Sequence, residues 1–223
     1  MPKARKPKAK PQQLLVEGKN DLHVISALCK KYKVPETFSV EIIVNDDRKQ
    51  ETQGIEELLA SLPVKLREEN LQTLGIVVDA DFDVTARWQA VISKLQEFGY
   101  QDISKTPVKN GWIDIQPEKP KIGVWLMPNN QLPGMLEDFV KYLIPVEDKL
   151  QEKVAAILLE IEKEGLNPYS LTHHQKAFIH TWLAWQKKPG MPMGQSITAK
   201  ALSYNSPEVE VFINWLNRLF GNG

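Results

Sequence analysis

Short apolar runs that alternate with helical patterns confine the first 127 residues of this chain to a layered α/β fold. The most continuous run is Leu74 to Val78, and after it residues 85–98 carry Trp88, Val91, Ile92 and Leu95 along one helical side, with Gly99 past the end. The same order occurs earlier. Residues 13–17 read as a strand, and residues 21–32 as a helix with Leu22, Ile25, Leu28 and Cys29 on one face, closed by Pro35. Residues 38–44 form a second strand rich in β-branched side chains, followed by a polar turn through Asp46 and Asp47 and a helix over 55–62 that ends before Pro63. Pro and Gly become frequent between 104 and 121, which predicts a loop or a hairpin with Trp112 to Ile115, before a strand over 122–127. The expected sheet is mainly parallel, flanked by helices and of Rossmann type.

From Gly134 onward the strand signals stop, and helical patterns occupy 135–142, 146–164, 173–186 and 209–219, interrupted by a turn at Pro189, Gly190 and Pro192. This divides the chain into a basic arm over 1–11, an α/β domain over 12–144 and a helical extension over 145–223 packed on it.

The arm holds Lys3, Arg5, Lys6, Lys8 and Lys10 with Pro2 and Pro7 and has no apolar core, so it reads as a disordered basic tail rather than a secretory signal. With five of the 28 basic residues and none of the 28 acids there, the remainder has 23 against 28, a net charge of −5 hidden by the overall zero. Attraction to phosphate must therefore be local. Cys29 is the only cysteine, so an intramolecular disulfide is impossible; this favours the cytoplasm and a buried thiol over a nucleophile. No apolar run reaches the length of a bilayer span, and no membrane association is expected.

Two of the strands end in acids. Glu17 follows Leu14-Leu15-Val16, and Asp79 and Asp81 follow Ile76-Val77-Val78. In an open α/β sheet the carboxyl ends of the strands face a shared crevice, so these side chains can converge. Crowded carboxylates repel and take up protons unless a cation neutralises them, and oxygen donors of this kind suit Mg²⁺ or Mn²⁺ beside substrate phosphates. A calcium loop starting at Asp79 fails, because its sixth position is Val84 instead of Gly and its twelfth is Ala90 instead of Glu. Asp83 is either a further ligand or the cap of the next helix. The plain alternative is that all these acids only cap loops.

Val16-Glu17-Gly18-Lys19-Asn20-Asp21 together with Val78-Asp79-Ala80-Asp81 resembles the Toprim domain of primases, topoisomerases and several nucleases, with a glutamate after the first strand and Asp-x-Asp after a later one. Gly123 to Pro128, Gly134 to Phe139 and His180-Thr181-Trp182 leading to Pro189-Gly190 look like an uncharacterised family of stand-alone Toprim-related proteins. By that resemblance Glu17, Asp79 and Asp81 are the catalytic, metal-binding acids. Glu137 completes a second metal position, as in nucleases of the overcoming-lysogenisation-defect type. The chain departs from the common pattern in following the pair with Phe82-Asp83-Val84-Thr85 in place of a glycine-containing turn. Asp81 to Thr85 also resembles the aspartate motif of haloacid-dehalogenase phosphatases, a reading that leaves Glu17 without a role.

Nucleic-acid contacts are assigned to Lys19, Lys176 and His180, with Lys187 and Lys188 extending a basic rim. Phe178, Trp182, Leu183 and Trp185 read as core first and as a base-stacking platform second. His173, His174 and His180 read as a structural helix face ahead of a metal cluster. The expected function is metal-dependent phosphodiester hydrolysis on DNA or RNA. The alternative is a metal- or nucleic-acid-binding regulatory module. The chain carries no phosphate loop, so a nucleotide-driven step needs a separate ATPase or other protein partner.

Overall fold

The computed structural model describes residues 10–43 and 54–221. The basic arm up to residue 9, and Asp46 and Asp47, lie outside the described residues. Five strands, β1 (Gln12–Val16), β2 (Ser39–Ile42), β3 (Thr73–Asp79), β4 (Trp112–Asp114) and β5 (Lys121–Met127), form one sheet in the order β2-β1-β3-β5-β4. All neighbours are parallel except β4, which runs antiparallel to β5. The expected mixed, mainly parallel Rossmann-like sheet is present. Its strand order reverses between β1 and β3, which is where ligands bind in open α/β sheets.

Alternation along the buried strands sorts the apolar residues onto two faces. Leu15, Leu74, Ile76, Val78, Val124 and Leu126 meet α2 (Ile55–Lys65) and α3 (Val84–Glu97). Leu14, Val16, Val77, Trp125 and Met127 meet α1 (Lys19–Tyr32) and the later helices α4 (Leu136–Lys141), α5 (Leu150–Lys163), α6 (His174–Ala184), α7 (Met193–Thr198) and α8 (Pro207–Phe220). No helix among the described residues is long and apolar enough to cross a membrane.

The C-terminal helix α8 lies directly on the central strands. Gly75 and Gly123 are register partners on β3 and β5. A Cβ on Gly75 would stand 2.5 Å from Leu14 Cδ1 and 3.0 Å from both Leu219 Cδ2 and Phe220 Cζ, and one on Gly123 would stand 2.8 Å from Leu219 Cδ2. Two glycines side by side thus create the trough that α8 fills.

Three local expectations change. The second helix runs through Pro63 to Lys65, since Leu66 N–H still donates to Leu62 O at 2.9 Å and Lys65 anchors the last turn on Glu41 and Gln13, both at 2.8 Å. The helix expected from 146 starts at Leu150, whose amide donates to the Asp148 carboxylate at 2.7 Å in a turn that precedes the helix. Helix α7 has no counterpart among the expected elements, being only six residues long with Gly194 at its second position.

Candidate functional site

Glu17 leaves the end of β1 one residue after Val16, which pairs with Val77, so its side chain reaches the end of β3. There its Oε1 accepts a hydrogen bond from the Asp79 backbone N–H at 2.7 Å. The chain then enters α1 through Gly18, and Asp21 in the first turn is buried on the same side. From the opposite wall, Glu137 in the first turn of α4 is buried to 5% exposure. Glu17, Asp21, Asp79 and Glu137 together line a cleft of about 490 Å³, with Lys19, His173 and Lys176 on its rim.

Burial sets the electrostatics. It raises the Asp79 carboxyl well above the usual carboxylate range, helped by the charges of Asp21, Glu17, Glu137 and Asp81. It pushes Asp21 up to about 7, reinforced by Glu17 and Glu137. Glu17 is raised by burial too, against the pull of the Asp79 amide and of the Arg87 charge. Asp79 Oδ1 is buried with no hydrogen-bond partner among the described residues, a condition that favours either a proton or a bound cation.

Asp81 is placed differently. Its backbone has φ +51°, and its N–H and C=O exchange hydrogen bonds with Gly134 at 2.8 and 2.7 Å, pinning the turn to the segment before α4. Its carboxylate accepts from Arg87 Nη2, and it lines a separate hollow instead of the cleft. Asp83 is the cap of α3, accepting from the amides of Thr85 and Ala86 at 2.9 Å each. Asp138 accepts from the Met135 amide at 2.9 Å and so caps α4.

Of the basic residues assigned to nucleic acid, Lys19 and Lys176 line the cleft, whereas His180 is exposed outside its lining. Phe178, Trp182 and Leu183 are buried, with Trp182 Nε1 donating to Asp148 at 3.0 Å, so they are core; Trp185 alone of that group is exposed. His174 pairs with Glu162 at 2.7 Å. Two cleft residues were not singled out as site residues from sequence, Asp21 and His173. Asp21 had a signal only as an acid in the first turn of the helix that follows Glu17.

All four cleft acids offer hard oxygen donors, which fits Mg²⁺ or Mn²⁺, and the orphaned Asp79 oxygen is an open donor. Among the described residues no three His, Cys, Asp or Glu side chains are disposed to hold a metal ion as they stand. Glu17 gives one oxygen to the Asp79 amide, and Asp81 is held by Arg87. A larger cavity, about 580 Å³ beside α4 and the start of α8, is less promising, because Asp138 caps α4 and Glu208 accepts from Ser206 at 2.7 Å.

Fold and site thus define a mixed α/β protein of Rossmann-like topology with an acidic cleft at its switch point. The chain belongs to the family described as Protein of unknown function (DUF3226), whose model matches residues 11–221. No curated protein and no solved structure matches it.

Proposed function

We propose that this protein carries out divalent-metal-dependent phosphodiester chemistry on nucleic acid, DNA or RNA, as a Toprim-type nuclease of the cytoplasm. The observation that carries this reading is the convergence of Glu17, Asp21, Asp79 and Glu137 in one cleft with lysines on its rim. Asp79, Glu17 and Glu137, with Asp21 beside them, would hold Mg²⁺ or Mn²⁺, which when bound supplies charge to polarise the scissile phosphate. Glu17, its carboxyl raised by burial, is the group that takes the proton of the attacking water. Lys19 and Lys176 receive the phosphate backbone at the rim, and the burial of Asp79 and Asp21 keeps bulk water from the acids.

A second reading draws on the engagement of Glu17 by the Asp79 amide and of Asp81 by Arg87. In it the acids bind a metal for architecture, and the protein regulates a partner, such as a separate ATPase, that performs the catalysis. One experiment separates the two: supercoiled plasmid, linear DNA and single-stranded RNA incubated with Mg²⁺, Mn²⁺ or EDTA, beside a Glu17→Gln/Asp79→Asn double variant. Metal-dependent cleavage lost in the variant supports the nuclease. Metal binding without cleavage of any substrate supports the regulatory module.

A further inference from the structure

We propose that the turn after β3 carries a subsite for one unpaired nucleotide, in which Arg87 takes the phosphate and Phe82 stacks on the base; this rests on the nucleic-acid reading above. The turn is held at every side of Phe82. Ala80 N–H donates to Met127 O at 3.1 Å, Asp81 is bridged to Gly134, and Asp83 caps α3. With both neighbours pinned, the Phe82 ring stands in solvent at 71% exposure. Burying a Phe side chain is favourable, so a rigid turn that presents one to solvent forgoes that gain.

Beside the ring lies a hollow of about 340 Å³, lined by Ala86 and Ala90 and by Asp81, Asp83 and Arg87, with the Asp83 carboxylate already engaged by the Thr85 and Ala86 amides. Ala86 and Ala90 are one helical turn apart on α3, where longer side chains would fill the space. Arg87 is the polar group of this hollow that suits an anion. Its side chain is only 14% exposed, it donates to Asp81, and its charge reaches Glu17 in the acidic cleft. A guanidinium of five donors matches a phosphate oxygen pair, and every base has a face that stacks on an aromatic ring. Phosphate and base of a single nucleotide thus find their partners side by side. A paired base, stacked on both faces within a duplex, has no face to offer Phe82, so the occupant is unpaired. A phosphate that engages Arg87 competes with Asp81 for the guanidinium.

The test is fluorescence anisotropy of full-length protein with a short labelled oligothymidylate and a duplex of equal length, Ca²⁺ replacing Mg²⁺, using wild type, Phe82→Ala, Phe82→Trp and Arg87→Ala. Phe82→Ala is expected to weaken single-strand binding by about 5–100-fold, with duplex binding unchanged. Phe82→Trp should restore it, and Arg87→Ala should weaken it. If Phe82→Ala binds the single strand like wild type, or loses single strand and duplex equally, the subsite is overturned while wild-type plasmid cleavage keeps the nuclease reading. A wild type that neither binds nor cleaves any of these nucleic acids overturns both.

Discussion

The Asp79 backbone amide donates to the Glu17 carboxylate at 2.7 Å, joining the carboxyl ends of two adjacent parallel strands. The contact ties one acid to the strand that delivers the next. The bond favours the Glu17 charge while Asp21, Asp81 and Glu137 crowd Asp79 with charge of the same sign.

Glu17→Gln removes one of the crowded charges while its amide oxygen can still accept from Asp79. Metal-dependent cleavage should fall by about 10² or more, while thermal melting at pH 8 without metal should rise. A melting-temperature gain on adding Mn²⁺ that equals the wild-type gain would remove Glu17 from the metal set.

The pH dependence has a defined sign. Asp21 titrates at about 7 in the folded chain, against about 3.9 when unfolded. Between those values the native state binds more protons, so stability falls as pH rises and levels off above about 7. Metal-free protein should thus melt lower at pH 7 than at pH 5. Asp21→Asn should flatten the curve, and Mg²⁺ should raise the melting point at pH 8 far more than at pH 5. Thermal scans across that range provide the check.

Cys29 should resist alkylation. Burial pushes its thiol up to about 12, so the reactive thiolate is scarce at pH 8. Iodoacetamide labelling followed by mass spectrometry should be much slower than for a free thiol and should accelerate on unfolding in urea.

Gly75→Ala introduces a Cβ against Leu14, Leu219 and Phe220. Overpacking of this kind costs about 1–3 kcal/mol, and for a domain of this size each kcal/mol moves the melting point by roughly 2–4 °C. Differential scanning calorimetry reads the shift, and an unchanged melting temperature would mean that α8 yields.

Much of the fold was legible because buried parallel strands are continuous apolar runs and their helices keep a 3.6-residue period: Leu74 to Val78 and the stripe of Trp88, Val91, Ile92 and Leu95 both sit where the pattern puts them. Glu17 and Asp79 meet because β1 and β3 run parallel and finish at the same end of the sheet, where α4 begins with Glu137. What the pattern conceals is side-chain direction. Asp81 turns to Arg87, six residues on, because its left-handed backbone re-aims the side chain, and no spacing rule announces that. Asp21 was visible only as a helix-start acid, since nothing local announces that it is buried or that Glu137, more than a hundred residues later, lines the same cleft. Gly75 reads as a blemish in an apolar run until Gly123 and α8 are in place around it.

That glycine trough also has a consequence in time. Leu219 lies 144 residues after Gly75 in the chain, so the glycine strip of β3 and β5 waits for α8 while α1 and the intervening helices are already made. Contacts that close so large a loop form late and slowly. Until α8 docks, the strip at Gly75 and Gly123 lacks the Leu219 and Phe220 side chains that cover it, so closure of that strip is expected among the last steps of folding.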